Sequence, residues 1–302
     1  MRCFYCIPKG FKDFQQPDDW LTFDEITRVV RVFAEMGVSR FRLTGGEPLA
    51  RPGLTDLVSL LSAQPGVEDL SLSTNASLLE AHAADLKQAG INRINVSLDS
   101  LNPERFREIT GCELAPVLAG LQAAKREKLG LVKINTIAMK GLNDDEFGDI
   151  VDYCNDNGFT LRFIETMPMG ATGQQAGRHY LPLTEVKDWL AERYELLPAM
   201  MPGGGPAHYV KLNGTDLRIG FITPISQHFC ETCNRVRLSV DGTLYLCLGQ
   251  SDRYALRPLL RSGISDDGLK NAIHEALALK PLKHDFVSQP KKQVRIMSLT
   301  GG

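Results

Sequence analysis

The segment Ser39-Arg-Phe-Arg-Leu-Thr-Gly-Gly-Glu-Pro48 decides the fold. Its first six residues predict a short strand, and the glycine pair and glutamate after them predict a loop at the carboxyl end of that strand. Upstream, Thr22-Phe-Asp-Glu25 is typical of a capping box, and the helix that it opens is expected to end at Gly37. A helix that leads into a strand with a polar loop after it is the repeating unit of an α/β protein.

The same unit recurs as far as residue 166. Hydrophobic patterns predict further strands over 69–74, 91–98, 131–139 and 160–166. Helices are predicted over about 53–63, 78–89, 115–128 and 144–157, with another after Asn102-Pro103 and a cap at Asn143 and Glu146. This alternation predicts a parallel sheet with right-handed crossovers, and a sixth strand is expected before residue 1. The predicted fold class is therefore α/β, a partial (β/α)6 barrel that lacks its first strand.

The glycine-rich run Met200–Pro206 predicts a boundary between a domain over 1–200 and a small α+β domain over 201–302. Just before it, residues 167–182 are glycine-rich and are expected to form a partly mobile loop. The second domain is predicted to begin with two strands, over 208–212 and 217–222, followed by a hairpin over 235–246 around Asp241-Gly242. A helix over 255–278 and a polar tail over 283–302 are predicted to complete it.

Composition excludes several classes of protein. The chain has 302 residues, a net charge of −2 and 43% hydrophobic residues, which is ordinary for a globular protein and gives no overall attraction to nucleic acid or membranes. It has no apolar run of about 18 residues and no signal-peptide core, so a cytoplasmic protein is expected. Its seven cysteines are then not expected to form disulfides, and Cys112 and Cys154 are interpreted as inert thiols.

Three cysteines near the end of the chain predict a metal centre. Cys230, Cys233 and Cys247 have the spacing C-x2-C-x13-C, and thiolates suit either zinc or an iron–sulfur cluster. A structural zinc site needs a fourth ligand, and the nearest candidate is His228, at an awkward spacing of two residues from Cys230. Spacing alone leaves zinc and a cluster as equal alternatives.

Basic residues accompany that centre. Arg235 and Arg237 are two residues apart and are expected to share one face of a strand, where guanidinium groups could bind phosphate oxygens. Arg42 and Lys133 lie within predicted barrel strands, where a charge is costly unless an anion meets it. Glu165, at a strand end, could be catalytic, but a salt bridge to Arg162 or to another arginine is the commoner explanation for such a residue.

With these motifs the chain resembles the radical S-adenosylmethionine enzymes and, within them, the GTP 3′,8-cyclase family of molybdenum cofactor biosynthesis. The resemblance covers essentially the whole chain. It rests on Cys3-Phe-Tyr-Cys6, Thr44–Pro48, Ser73-Thr-Asn75, Ile94–Asp99, Leu161–Glu165, Cys230–Arg237 with Cys247, and the Gly301-Gly302 terminus.

The resemblance implies a radical cyclisation of GTP that uses two [4Fe–4S] clusters and S-adenosylmethionine. The deoxyadenosyl radical removes the ribose 3′ hydrogen, and the carbon radical attacks C8 of guanine to give 3′,8-cyclo-7,8-dihydro-GTP. Partners implied are an electron donor such as flavodoxin or ferredoxin and the downstream cyclic pyranopterin monophosphate synthase, with a homodimer possible. The resemblance implies that S-adenosylmethionine contacts Tyr5, Gly46, Ser97 and Met167, and that GTP contacts Arg42, Ser73, Lys133, Arg235 and Arg237. It implies that Cys3 and Cys6 are ligands of the first cluster and that Cys230, Cys233 and Cys247 are ligands of the second. The implied catalytic residues are Arg235, Arg237, Gly301 and Gly302.

The sequence departs from the family pattern in two places. Ser73 stands where the family usually has threonine, which keeps the hydroxyl. The family's C-x3-C-x2-C loop would place its first cysteine two positions before Met1, so the first cluster is expected to be labile and the chain, interpreted as N-terminally truncated, inactive as written. The alternatives are a peptide-modifying radical enzyme with an auxiliary cluster and a non-catalytic protein that binds zinc or a cluster.

Overall fold

The computed structural model describes residues 1–13, 16–201, 203, 205–286 and 296–297. Within these residues no helix is both long enough and apolar enough to cross a membrane. The strands are β1 Arg40–Leu43, β2 Asp69–Thr74, β3 Arg93–Ser97, β4 Leu131–Ile137, β5 Thr160–Ile164, β6 Leu196–Ala199, β7 His208–Leu212, β8 Arg218–Ile222, β9 Arg237–Leu238, β10 Thr243–Tyr245 and β11 Arg253–Ala255. The helices are α1 Phe23–Glu35, α2 Leu54–Ser62, α3 Leu79–Ala89, α4 Pro103–Thr110, α5 Ala115–Arg126, α6 Phe147–Asn157, α7 Gly170–Ala176, α8 Leu183–Ala191, α9 Arg257–Arg261 and α10 Asp266–Ala278.

The described strands form one eight-stranded sheet and one three-stranded sheet. The large sheet has the order β1-β2-β3-β4-β5-β8-β7-β6, and the small one β11-β10-β9. The five predicted strands β1–β5 pair in parallel in chain order, which confirms the predicted parallel α/β sheet. β8 adds a further parallel strand beside β5, and β7 and β6 follow in antiparallel pairing. The sheet thus continues across the boundary predicted between residues 200 and 201, and as a division into domains that boundary stays a prediction.

The two faces of the large sheet differ in chemistry because side chains alternate along each strand. One face carries residues such as Leu70, Leu72, Ile94 and Val96, which are fully buried beneath the helices. This apolar face supplies most of the larger hydrophobic core. The opposite face carries the alternate positions, where polar and basic side chains predominate.

Helix α1 joins the large sheet to the C-terminal part of the chain. Its capping box is present, since the Glu25 amide donates to Thr22 Oγ1 at 3.1 Å and the Thr22 amide donates to Glu25 Oε2 at 2.8 Å. Val30 packs in the core of the large sheet, whereas Val29 and Phe33 pack in a second core with residues of β10, α9 and α10. One helix is therefore shared by both cores.

Three details differ from the sequence predictions. The predicted loop over 167–182 contains α7, whose Gly170, Thr172, Gly173 and Ala176 are buried. The helix predicted over 255–278 is two helices, α9 and α10, with Ser265 capping the second through the amide of Gly268. The Asn143 side chain binds the backbone of the β3 and β4 loops instead of capping a helix, because its amide donates to the Asp99 and Ile137 carbonyls at 2.7 and 2.9 Å.

Close packing of α3 against α5 depends on Gly120, and this gives a first prediction. A Cβ on Gly120 would lie 2.3 Å from the Ala76 carbonyl oxygen, so the Gly120→Ala variant has to move backbone. We expect this variant to lose roughly 1–3 kcal/mol of unfolding free energy in a denaturant titration. Gly177→Ala is the matched control, because Gly177 has a helical φ of −57° and nothing within 4 Å of an added Cβ. Equal stability of the two variants would contradict the close contact between the helices.

Candidate functional site

The polar face of the large sheet brings together three of the predicted substrate contacts. Ser73 is paired with Asn95, and Asn95 with Lys133, so that these side chains lie in one row on the same face. Arg42 is on this face too, where its Nε donates to Ser71 Oγ at 3.3 Å. The predicted positions Arg42, Ser73 and Lys133 therefore share one surface, with Lys133 almost fully buried.

Arg162 on β5 is a buried cation of the same face that sequence reasoning had considered only as a partner of Glu165. Its Nη2 donates to Asn95 Oδ1 on β3. Its Nε has no hydrogen-bond partner within the described part of the chain, and neither has Asn135 Oδ1 on β4. The available signal was the polar residue at every second position of each strand, which marks a polar sheet face. Unpartnered buried polar atoms on such a face point to a polar ligand.

The charge of this polar face is strongly positive. Strands β1–β5, all described, place five cations on it against one carboxylate, Asp69, which is paired with Arg93. Burial, and then the charges of Arg162, Arg93 and Arg42, lower the pKa of Lys133 to about 8. The two buried members of this group, Lys133 and Arg162, would be costly to hold together without an anion. The five are Arg40, Arg42, Arg93, Lys133 and Arg162.

The C-terminal arginines act on the same region. Desolvation by the surrounding protein lowers the pKa of Arg42 to about 10, and the charges of Arg235 and Arg237 contribute to the lowering. Arg235 precedes β9, which begins at Arg237, so the shared strand face predicted for the pair is wrong. Both are nevertheless close enough to Arg42 to repel it, and the structure thus brings together basic residues that are some 190 positions apart in the chain.

The loops at the carboxyl ends of the strands are tied together by Glu47. Its carboxylate accepts hydrogen bonds from Thr74 Oγ1 at 2.7 Å and from the Asn75 amide at 2.8 Å. The glycine-rich loop after β1 is thereby fixed to the loop after β2. Gly46 in this loop is exposed, with nothing within 4 Å of an added Cβ, and Ser97 is exposed at the end of β3. Both predicted cofactor contacts are therefore accessible at the same edge of the sheet.

The Cys3–Cys6 loop is fixed to that edge as well. Tyr5 donates its hydroxyl hydrogen to Asp99 Oδ2 at 2.7 Å, and Asp99 Oδ1 accepts from the Ile137 amide at 2.8 Å. The Cys6 amide donates to the Cys3 carbonyl at 2.9 Å, which closes a tight turn. Burial, and then the Asp99 charge, raise the pKa of the Cys3 thiol to about 12. A bound metal ion is therefore needed to keep this side chain as a thiolate at neutral pH.

Glu165 is a buried hub between β5 and the loop that leads to the C-terminal cysteines. Its Oε2 accepts from the Ile225 and Ser226 amides, both at 3.0 Å, and its Oε1 accepts from the Tyr180 hydroxyl at 3.2 Å. The carboxylate is 1% exposed. Its partners within the described residues are neutral donors, so the predicted pairing with Arg162 is wrong; Arg162 binds Asn95 instead.

The C-terminal cysteines lie around a 3₁₀ turn, Cys230–Thr232, and the end of β10. The Cys233 amide donates to the Cys230 carbonyl at 3.0 Å. Burial raises the pKa of Cys247, and the charges of Cys230 and Cys233 add to this effect. Lys280 Nζ ties the two sides together by donating to the Arg235 carbonyl at 2.9 Å and to the Leu246 carbonyl.

No disulfide joins any of the seven cysteines, all of which lie within the described residues. Over the described ranges, no three Cys, His, Asp or Glu side chains come together in an arrangement that could hold a metal ion. The structure thus places Cys230, Cys233 and Cys247 within electrostatic range of one another without assembling a closed ligand set. An all-thiol donor set beside basic residues fits an iron–sulfur cluster better than a harder cation.

Comparison with known proteins gives the family. Residues 1–154 match the Radical SAM superfamily, and residues 159–286 match Molybdenum Cofactor Synthesis C. A protein named GTP 3′,8-cyclase 1 from Pseudomonas aeruginosa is 45% identical and aligns with 100% of this chain and 92% of its own length. The chain belongs to the GTP 3′,8-cyclase family. A second relative, the GTP 3′,8-cyclase of Paracoccus denitrificans, is 44% identical over 100% of this chain and 89% of that protein.

Two solved structures resemble this chain in fold, at sequence identities too low to say more than that. Streptococcus suis SuiB superposes with a TM-score of 0.57 at 13% identity, covering 93% of this chain and 63% of that one. A structure described as native anSMEcpe with bound AdoMet gives a TM-score of 0.56 at 16% identity, covering 96% and 79%. These likenesses confirm the α/β radical S-adenosylmethionine fold.

The remaining residues predicted from the GTP 3′,8-cyclase pattern have different outcomes. Met167 follows β5 and is half-buried, and its carbonyl accepts from the Met169 amide at 2.8 Å. Gly301 and Gly302 lie outside the described residues. Cys3 and Cys6 lie in the loop that Tyr5 fixes to the carboxyl end of β3. The ring of His228, the nearest candidate for a fourth zinc ligand, contacts the His284 ring with centroids 6.0 Å apart. The assignments of individual residues to S-adenosylmethionine, GTP and clusters stay predictions.

The role of Glu165 as a hub can be tested by the Glu165→Gln variant. The amide has similar size but turns an NH₂ group toward backbone donors, so we expect a loss of about 3 kcal/mol in unfolding free energy. Hydrogen–deuterium exchange at the Ile225 and Ser226 amides should become faster.

The control is Glu113→Gln, because Glu113 is an exposed partner of Arg107 and its change should leave stability unaltered. Unchanged exchange at Ile225 and Ser226 in the Glu165→Gln variant would contradict the hub.

Proposed function

We propose that this chain acts on GTP and S-adenosylmethionine in the first step of molybdenum cofactor biosynthesis, the formation of 3′,8-cyclo-7,8-dihydro-GTP. One observation carries the proposal for this chain. Cations on β1, β4 and β5 lie on one polar face, and Arg235 and Arg237 are close enough to Arg42 on that face to repel it. A triphosphate has the charge that this face lacks. Charge-assisted hydrogen bonds to phosphate oxygens would satisfy donors that are buried there, including Arg162 Nε.

The roles proposed for the GTP contacts follow from position. Arg42, Lys133 and Ser73 would bind the phosphates and ribose from the sheet, and Arg235 and Arg237 would bind from the C-terminal side. Arg235 is half-buried with its guanidinium 5.5 Å from the Phe229 ring, an arrangement that restricts the side chain before substrate arrives. Gly301 and Gly302 are proposed to reach this site as the family's catalytic tail.

Two cluster sites are proposed. Membership of the family implies one [4Fe–4S] cluster with S-adenosylmethionine, which when bound supplies a deoxyadenosyl radical. Cys3 and Cys6 would be ligands of that cluster, and the accessible Gly46 and Ser97, with Tyr5 and Met167, would hold S-adenosylmethionine. Cys230, Cys233 and Cys247 are proposed to hold a second cluster.

Finer features of the fold and setting are part of the proposal. The sheet order β1–β5 supports the partial (β/α)6 barrel, with the C-terminal small sheet as the auxiliary-cluster domain. The proposal also includes a flavodoxin- or ferredoxin-like electron donor and transfer of the product to cyclic pyranopterin monophosphate synthase. It further includes a cytoplasmic location and a homodimer.

The proposed function is tested by GTP binding to the anaerobically reconstituted chain with the Arg235→Ala substitution. We expect the dissociation constant, measured by equilibrium dialysis, to rise at least tenfold, since a charge-assisted bond contributes about 1.5–3 kcal/mol. Arg253→Ala is the control, because Arg253 is an exposed arginine on β11 of the three-stranded sheet, and Arg235 lies just before β9 of that sheet. Absence of GTP binding to the wild-type chain would overturn the proposed function, and unchanged affinity in Arg235→Ala would remove the role of this arginine.

The pH dependence of GTP binding gives a second test. The pKa of Lys133 is about 8 in the ligand-free protein, below the ordinary 10.5, and a bound polyanion would raise it. GTP binding above pH 8 therefore takes up a proton, and affinity should fall roughly tenfold from pH 7 to pH 9. The groups that face Lys133 are Arg42, Asp69, Arg93, Arg162 and Tyr209.

The Lys133→Arg variant separates Lys133 from other titrating groups, because arginine stays charged throughout this range. Its affinity for GTP should be nearly constant from pH 7 to pH 9 apart from the titration of GTP itself. An equally steep fall in the variant and the wild type would show that Lys133 is not the group responsible.

A further inference from the structure

Gly220 on β8 leaves a gap in the polar face that two neighbouring side chains fill. It is paired with Arg162 on one side and with Tyr209 of β7 on the other. A Cβ on Gly220 would lie 2.7 Å from Tyr209 Cε1 and 3.1 Å from Arg162 Cγ. The side chains of Tyr209 and Arg162 therefore meet above the glycine, and any larger residue would separate them.

Tyr209 contacts both buried cations of the face. Lys133 Nζ lies 5.7 Å from the centroid of its ring, within the range of a cation–π contact. The ring lies beside the Arg162 side chain above Gly220, and electrostatic interaction with Tyr209 counteracts the lowering of the Arg162 pKa by burial. A single side chain is thus in contact with cations on two different strands, β4 and β5.

This arrangement solves an electrostatic problem. Arg162 and Lys133 repel each other, and both are about 5% exposed. The carboxylate of this face, Asp69, is paired with Arg93 instead. The electron-rich ring face and the hydroxyl of Tyr209 reduce the repulsion without neutralising either charge. Both side chains then remain available to an anionic ligand, whereas a carboxylate at position 209 would have paired with them.

We propose that Tyr209 is a positioning residue that holds Arg162 and Lys133 in the orientation needed to bind the polyphosphate of the substrate, with Gly220 providing the space for it. This inference rests on the proposed function. The pair Tyr209–Gly220 then affects binding in proportion to the phosphate charge of the ligand. A residue that merely filled the core would affect all ligands, or only stability.

The test compares GTP with guanosine, measured as dissociation constants on the reconstituted chain with Tyr209→Phe and Tyr209→Leu. Phenylalanine keeps the ring over Lys133 but loses the hydroxyl that interacts electrostatically with Arg162, so GTP should bind about fivefold more weakly. Leucine also loses the ring, and GTP should bind at least tenfold more weakly. The affinity for guanosine should change less than twofold in both variants.

Two further variants complete the design. Gly220→Ala forces Tyr209 and Arg162 apart and should reproduce the selective loss of GTP affinity. His208→Ala is the control, because His208 is an exposed neighbour on the other face of β7 and its loss should leave both ligands unaffected. Thermal melts establish that each variant is folded.

The outcomes are distinguishable. Wild-type chain that fails to bind GTP overturns the proposed function and this inference together. Wild-type binding with an unchanged GTP affinity in Tyr209→Phe overturns the inference alone, as does an equal loss for GTP and guanosine. A selective loss for GTP in Tyr209→Phe, larger in Tyr209→Leu, supports it, and Tyr209→Phe retains the ring volume that folding requires.

Discussion

The packing of α1 in two cores is the constraint on which the rest of the structure depends. Val30 contributes to the core beneath the large sheet, while Val29, Val32 and Phe33 contribute to the core of the C-terminal lobe. Arg28 and Arg31 add ion pairs to Asp266 of α10 at the rim of this contact. Rim pairs of this exposure contribute little compared with the buried apolar area. The shared helix fixes the small sheet against the large one, and it is this fixed relation that lets arginines from the end of the chain act on Arg42 near its beginning.

The large sheet uses its two faces for opposite purposes. The apolar face supplies the burial that stabilises the fold, and the polar face concentrates cations that oppose it. Such a face is tolerated because the strands are held by backbone hydrogen bonds and by the helices on the other side, whatever the polar side chains do. The stability lost by keeping Lys133 and Arg162 in a low-dielectric setting is recovered when an anion binds, so the strain is part of the affinity.

The sequence was sufficient for features that depend on local pattern. The strands β1–β5, most helices and the exposed loop residues Gly46 and Ser97 follow from periodicity and from the rule that parallel strands end at one edge. Features that depend on pairing between distant segments could not be predicted. β8 lies beside β5 although more than fifty residues separate them, and the contacts of Tyr209 with Arg162 and Lys133 exist only because of that pairing. The interpretation of Glu165 was wrong for the same reason, since its main donors are backbone amides about 60 residues further along the chain.

Because of these pairings, the acidic groups hold loops in place while the basic groups of the polar face stay available to a ligand. The carboxylates of half-buried Glu47 and of buried Asp99 and Glu165 each accept hydrogen bonds from backbone amides or hydroxyls of other loops, so their negative charge holds loops in place. In the part of the chain that the structure describes, none of the three forms an ion pair with the cations of the polar face, where Arg93 pairs with Asp69. Had Glu165 paired with Arg162, the face would have lost one positive charge and the loop that leads to Cys230 would have lost its anchor. By engaging neutral donors, the same carboxylate orders the C-terminal loop and leaves the arginine available to an anionic ligand.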